Sequence, residues 1–437
     1  MQAATRSRLT LSCILITILL DMIGVGIIVP VLPELLEELT GGSVADAAVI
    51  GGYLVFTYAL MQFIFSPVLG NLSDRFGRRP ILLASLLGLT FDYLMMSIAP
   101  FVWYLFIGRI IAGIAGAALA TATAYMADIT PPHKRTHRFG LIGAAFGLGF
   151  IIGPVIGGEL GEFGPRVPFY AAAGLAFANF LFGLLVLPES LPKRSRRRFD
   201  IRRANPLGAV IGLRQYSSVL WLLAVLFFLQ LATQALPTIF SYFTVEMFNF
   251  SSSTIGRTLG AFGVGFAISQ ALIAGPLSKG MGEPAVGIIG LSAAAIAFAG
   301  IAFSADVYQL YLFIAVGCIS GLAPPAINGV LSRQVPDNSQ GELQGAVNAA
   351  SSLATIIGPL AATQIFSYYT NDPASGHYFP GAPFIACAVA VVLALTFFAI
   401  AAIRFDLGRR PSIADHPHPP EVPPPGQVRV APIEDDK

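Results

Sequence analysis

The stretch Gly70-Asn71-Leu72-Ser73-Asp74-Arg75-Phe76-Gly77-Arg78-Arg79-Pro80 decides how this chain is read. It sets one carboxylate and three arginines between two long apolar segments. Two glycines allow a sharp reversal of the backbone, and Pro80 suits the first turn of a following helix. Arginines beside apolar spans act as a positive-inside topology signal. That role accounts for Arg75, Arg78 and Arg79 but leaves Asp74 and the glycine spacing unexplained, so the turn is expected to do more than orient the chain.

The composition on either side of the turn places it in a membrane protein. The chain has 437 residues, 55% hydrophobic and 11% charged, against about 25% charged in soluble domains. A bilayer-crossing helix needs about 20 apolar residues. Spans are predicted near 9–31, 48–71, 80–99, 102–127, 138–160 and 168–187, and again near 218–244, 253–276, 284–303, 308–332, 343–368 and 380–403. The fold class is therefore an all-α membrane protein of twelve transmembrane helices in two six-helix pseudo-repeats. The predicted units are residues 1–187, a basic linker at 188–217, residues 218–403 and a disordered, Pro-rich tail at 404–437. Arg6 and Arg8 precede the first apolar run, which has no convincing cleavage site and is read as a retained span. Cys13, Cys318 and Cys387 all fall in spans, with neither disulfide nor metal-ligand spacing.

Loop charges set the expected orientation. Arg75, Arg78 and Arg79, then Lys134, Arg135 and Arg138, the linker, Lys279 and Arg333 lie on alternate loops, on the same side as both termini. The opposite loops hold Glu34, Glu37, Glu38, Asp46, Asp306 and Asp372, with Arg166 and Arg257 their only basic residues. Both termini and the linker are expected in the cytoplasm.

The halves repeat at an offset of about 205 residues. Gly70 maps to Gly275, Gly116 to Gly321, and Ile152-Gly153-Pro154 to Ile357-Gly358-Pro359, while Asp128 and Arg333 end the fourth and tenth spans at equivalent places. Internal duplication of this kind is common in transporters, whose polar mid-membrane groups line a central cavity. An ionisable residue within a span is costly unless paired or hydrated, which makes it a functional candidate. Asp21, Asp92 and Arg109 are the candidates, all in the first half. One reading is a proton site, because desolvation disfavours the charged carboxylate; the other is a static Asp–Arg pair that fixes packing. Gln62, Gln230, Gln234, Asn328 and Asn348 are open to two readings, substrate contact or an interhelical hydrogen bond worth about 1 kcal/mol. Gly143, Gly147, Gly149, Gly153-Pro154 and Gly157-Gly158 give the fifth span a small face and a kink, suited to a hinge or to plain close packing.

At these residues the chain resembles the major facilitator superfamily, most closely the drug:proton antiporters of its twelve-span branch. Gly70 to Arg79 resembles the signature cytoplasmic loop, Gly153-Pro154 with Gly157-Gly158 the fifth-span antiporter signature, and Arg109 with Gly113 the fourth-span signature associated with proton transfer. Within that branch it is most similar to the tetracycline-efflux proteins, through Leu20–Gly26, Pro30–Pro33, Tyr58–Phe63, Asp92-Tyr93, Ala127–Thr130, Leu331–Val335 and Gln340–Gly345. The resemblance implies that Asp21, Gln62 and Asp92 face the transport path and that Arg109 aids coupling. It also implies a gate of Gly70, Asp74, Arg75, Gly77, Arg78, Arg79, Asp128, Gly153, Pro154 and Gly157. Those pumps often carry a His in span eight and an Asp in span nine; an ungapped match puts Phe266 and Ala294 there. Either the first-half carboxylates carry coupling alone, or the substrate is not a metal–tetracycline chelate.

The expectation is a monomeric exporter in a bacterial inner membrane, exchanging a small amphipathic substrate for protons, with substrate contacts from Gln62, Asp92, Gln234, Asn328 and Asn348. No cofactor, metal or nucleic-acid partner is expected. No phosphate-binding loop, metal cluster or nucleophile–base arrangement marks an enzyme. The rivals are a proton-coupled nutrient importer or facilitator and a non-transporting sensor or scaffold, the latter disfavoured because it has no use for charges in lipid.

Overall fold

The structure, a computed structural model, describes residues 2–117, 119–131, 134–197, 216–336, 339–372, 376–405 and 407. Most of the expected linker and nearly all of the expected tail lie outside the described residues. Among those described, twelve helical stretches are long and apolar enough to cross a bilayer, and no strand occurs.

The helices are α1 (Gln2–Ile28), α2 (Leu32–Thr40), α3 (Val44–Phe76), α4 (Arg78–Ile98), α5 (Val102–Gly116), α6 (Leu119–Asp128), α7 (Arg135–Gly161) and α8 (Val167–Val186). After them come α9 (Ser217–Phe248), α10 (Ser252–Ile268), α11 (Ala274–Met281), α12 (Glu283–Ala302), α13 (Val307–Cys318), α14 (Ala323–Ser332), α15 (Gln340–Thr370) and α16 (Ala382–Arg404). Three predicted spans are each built from two helices: α5 with α6, α10 with α11, and α13 with α14. A π turn at Ser269–Ile273 joins α10 to α11. Pro276 lies three residues beyond it, and a proline ring clashes with the carbonyl four residues back, here that of Leu272 within the turn, a strain that a widened turn relieves.

Two features depart from the sequence reading. The charged stretch is not a loop: α3 continues to Phe76 and α4 begins at Arg78. The whole reversal falls on Gly77, whose φ of 111° lies in the region that favours glycine. Gly70 is helical and has open space beside it, so it makes no turn. The acidic segment after the first span contains α2, whose Leu35 and Leu36 are buried and which stops at Gly41, φ 63°.

α1–α8 and α9–α16 form two bundles with the same internal packing. α7 crosses α1 where Gly153 meets Gly26, and α15 crosses α9 where Gly358 meets Leu231. Both contacts are shifted by the same 205 residues as the sequence repeat, and small residues are what permit such close approach. Between bundles, α3 packs on α15 and α7 on α10. The contacts gather at the end that holds Gly41. Ser241 Oγ donates to the Val29 carbonyl at 2.9 Å, and Gly52 meets Thr363. Gly158 lies against the Ser252 backbone and Gly256 against the Pro154 carbonyl. At the other end, which holds Gly77, a methyl group placed on Gly140, Gly143 or Gly147 of α7, or on Gly341 of α15, would meet nothing within 4 Å among the described residues. The same helices that seal one end stand apart at the other.

Candidate functional site

The three predicted mid-membrane charges fall inside the first bundle. Asp92 of α4 is wholly buried and forms an ion pair with Arg109 of α5. Gly108 makes room for it, since a methyl there would sit 2.7 Å from Asp92 Oδ1. The Arg109 guanidinium lies 5.8 Å from the Tyr58 ring centre and contacts Met96 Sδ at 3.1 Å. Asp92 Oδ1 and Arg109 Nε have no hydrogen-bond partner among the described residues, so the pair keeps unused bonding capacity.

Asp21 of α1 is half-buried and has no ion pair among the described residues. It lies within electrostatic reach of Tyr58 and Tyr93, as do Asp92 and Arg109. The structure thus brings Asp21, Asp92 and Arg109 into one neighbourhood and adds two tyrosines that the sequence reading quoted without assigning a role. Gln62 joins this cluster: its amide donates to the Gly116 carbonyl at 3.2 Å and to Tyr58 Oη at 3.4 Å.

The second-bundle candidates sit elsewhere. Gln234 of α9 donates to Thr355 Oγ1 of α15 at 2.8 Å. Asn348 and Gln344 lie along the same face of α15 and are exposed, as is Asn328 of α14. Phe266 tilts against Phe262, ring centres 5.8 Å apart, and Ala294 is buried at 2% exposure.

The candidate gate splits between the two ends. At the Gly77 end, Arg78 reaches Asp74 at 2.6 Å, Asp128 at 3.4 Å and Ser73 Oγ at 2.5 Å. The segment after α8 closes this cluster: Glu189 accepts from the Arg78 N–H at 2.9 Å, Ser190 donates to Asp128 at 3.0 Å, and the Arg197 N–H donates to the Asp74 carbonyl at 3.1 Å. No sequence signal pointed to Glu189 or Ser190, because their partners lie 111 and 62 residues away. Arg79 donates to the Leu184 carbonyl and Arg75 lies over the Phe76 ring, outside the cluster.

Gly153, Pro154 and Gly157 belong to the sealed end, where α7 meets α1 and α10. Beyond them Arg257 holds Glu159 through two bonds, at 2.6 and 3.1 Å, and Glu162 accepts from the Ser253 N–H at the start of α10 at 3.1 Å. A carboxylate at a helix N-terminus is favourable, and the Ser253 hydroxyl, its N–H and the Ser251 hydroxyl hold the Glu162 carboxyl below its ordinary range. Burial pushes the Glu34 and Glu37 carboxyls the other way.

Two six-helix repeats, sealed at one end, open at the other and carrying charge at mid-span, define a multi-pass membrane transporter. A family model described as Major Facilitator Superfamily matches residues 14–359 and, in a second match, 223–432. The chain belongs to the Major Facilitator Superfamily, whose members here are transporters and not enzymes. It is 42% identical to "Tetracycline resistance protein, class C" of Escherichia coli over 83% of this chain and 91% of that protein. It is 28% identical to "Multidrug resistance protein 2" of Bacillus subtilis (strain 168) over 85% of this chain and 93% of that protein. The fold is also that of a solved bacterial homologue of the human lysosomal transporter Spinster, in an inward-facing and unoccupied conformation, with a TM-score of 0.76, 15% identity and coverage of 93% and 99%.

Proposed function

We propose that this protein is a proton-coupled efflux antiporter for tetracycline-type or related amphipathic compounds, working by alternating access between two bundles, residues 1–187 and 218–403. The observation that carries the reading is Asp21, a half-buried mid-span carboxylate without an ion pair among the described residues, beside the Asp92–Arg109 pair. A carboxylate kept in an apolar site without a counter-ion is positioned to take up and release a proton. Arg109 tunes that exchange, and Gln62 with the Gln234–Thr355 pair offers polar contacts to substrate. The names of the tetracycline- and multidrug-resistance relatives support export as the direction.

The basic loops support a reading in which the Gly77 end, both termini and the linker lie on the cytoplasmic side of a bacterial inner membrane. The open cleft then faces inward, ready for cytoplasmic substrate, in a monomer. With neutral residues at Phe266 and Ala294, either the first-bundle carboxylates carry coupling alone or the substrate is not a metal–tetracycline chelate.

The test is tetracycline uptake into inverted membrane vesicles carrying this protein, with and without a proton gradient, beside Asp21→Asn. Gradient-driven accumulation that the variant abolishes is the expected result. No accumulation, with the protein present in the membrane, rejects tetracycline and moves the assay to a panel of other amphipathic compounds. Gradient-driven accumulation that persists in Asp21→Asn rejects the role of this residue.

A further inference from the structure

The Arg109 guanidinium is thinly held for a cation inside a span. Its Nη2 reaches Asp92 and Met96 Sδ, and its Nε has no hydrogen-bond partner among the described residues. The side chain is only 13% accessible, so water does little to fix it. The face of the Tyr58 ring is a further neighbour, its centre 5.8 Å from the guanidinium carbon, within the range at which a ring face attracts a cation.

Tyr58 is itself pinned. One turn on along α3, the Gln62 amide donates to Tyr58 Oη at 3.4 Å and to the Gly116 carbonyl at 3.2 Å, which uses both of its hydrogens. Arg109, Gly113 and Gly116 share one face of α5, because they are spaced by four and then three residues. The two glycines let α3 close on that face. A methyl on Gly113 would sit 2.5 Å from the Tyr58 carbonyl, and one on Gly116 would sit 2.6 Å from Tyr58 Oη. α3 therefore presents a ring fixed at its far end to a cation whose other holds are Asp92 and a thioether. The titratable groups around that ring are Asp92 and Tyr93 of α4, Arg109 of α5 and Asp21 of α1. The ring matters most when Asp92 is neutral. A proton on Asp92 removes the anionic partner of Arg109, and a guanidinium left without one in a span is costly or swings toward water. A ring face keeps its attraction whether or not the carboxylate carries a proton.

We infer that Tyr58 is a positioning residue for Arg109: its ring face keeps the guanidinium beside Asp92 through the part of the cycle in which that carboxyl group is protonated, and Gln62 fixes the ring for this task. The inference rests on the proton-coupled reading above.

Ring fluorination tests this with little change of shape, because fluorine withdraws charge from the ring face and weakens its pull on a cation. The series is Tyr58→Phe and its mono-, di- and trifluorinated forms, introduced by stop-codon suppression. The first readout is thermal unfolding in detergent and needs no substrate. The ratio of folded to unfolded protein at a fixed temperature should fall about tenfold across the series. The fall should be steeper with Asp92→Asn, where Arg109 has lost its counter-ion, and absent when Asp92→Leu and Arg109→Leu are combined. If Asp92→Asn does not fold, the contrast between the series with and without Arg109 makes the test. If Tyr58→Phe does not fold, ring-fluorinated tyrosines at this position keep the hydroxyl and make the same comparison. The second readout is gradient-driven tetracycline uptake into inverted vesicles. Its maximal rate should fall along the series while the half-saturating tetracycline concentration stays constant. A flat unfolding series, one that persists without Arg109, or a flat uptake rate in a protein that transports tetracycline overturns the inference. So does a change confined to half-saturation, which would make Tyr58 a substrate contact. A parent that moves no tetracycline rejects that substrate, and the unfolding series then decides by itself whether Tyr58 holds Arg109.

Discussion

In the first bundle Gly153 lies against Gly26 and Pro154 follows in α7; in the second, Gly358 lies against Leu231 and Pro359 follows in α15. The backbone frame is common to both, yet the same offset of 205 residues matches Asp21 with Leu226, Asp92 with Ala297 and Arg109 with Ile314, all three buried. Every mid-span charge of the first bundle has an apolar counterpart in the second. Close helix approach is a geometric need that both bundles share, so small residues and prolines recur. Charge in the membrane interior is costly, and it is kept only where a function uses it.

The largest effect should come from breaking this asymmetry at its centre. Arg109→Leu leaves Asp92 buried without a cation, which typically costs about 3–5 kcal/mol, and should appear as lost folded protein on thermal unfolding in detergent. The double variant Asp92→Leu with Arg109→Leu should recover the fold without recovering the proposed proton-driven export. Writing a charge into the other bundle tests the converse: Ala297→Asp should destabilise by about 3 kcal/mol, and adding Ile314→Arg should return part of that loss in the same unfolding assay.

The two ends of the molecule offer a smaller contrast. A methyl on Gly256 would sit 2.2 Å from the Pro154 carbonyl, so Gly256→Ala should loosen the seal at a cost of about 1–3 kcal/mol, read by disulfide trapping across α7 and α10. Gly143→Ala, in open space, should change stability by no more than about 0.5 kcal/mol. Between these two lies Gln234→Leu, expected to cost about 1 kcal/mol; Thr355→Val on top of it should add little, which a double-mutant cycle would read.

The smallest effect concerns pH at the sealed end. Because Glu162 is held below the usual carboxyl range in the sealed state, its contribution is present at neutral pH. It is lost as pH falls through the lowered value, below the ordinary Glu value of about 4.3. Glu34 and Glu37, raised by burial, respond in the opposite sense. The measurement is therefore the difference in label separation across this end between the parent and Glu162→Gln, which should vanish at low pH.

Much of this fold was legible because lipid leaves the backbone few choices. Each apolar run of spanning length had to be a helix, and the predicted spans all coincide with helices to within several residues. The charged stretch around Gly77 was recognised, but its form as two helices broken at one residue was not, since Asn71, Ser73 and Asp74 are also turn formers. The α2 helix was missed because Glu34, Glu37 and Glu38 dominated the reading of a segment whose Leu35 and Leu36 are buried. Asp21, Asp92 and Arg109 were legible as candidates because charge in an apolar run stands out. Tyr58 and Tyr93 did not stand out, since aromatic residues are ordinary in spans.

The sequence alone determined the helical class, the duplication and the inventory of costly charges, because each is a local property of composition or an offset along the chain. Only the tertiary structure decided which charges pair: Arg109 meets Asp92, and Asp21 has no ion pair among the described residues. It also decided that the bundles meet at the Gly41 end and part at the Gly77 end, and that Glu189 and Ser190 reach back to Arg78 and Asp128. These outcomes depend on the distance and direction between elements far apart in sequence, which packing of the bundles sets and no local pattern encodes.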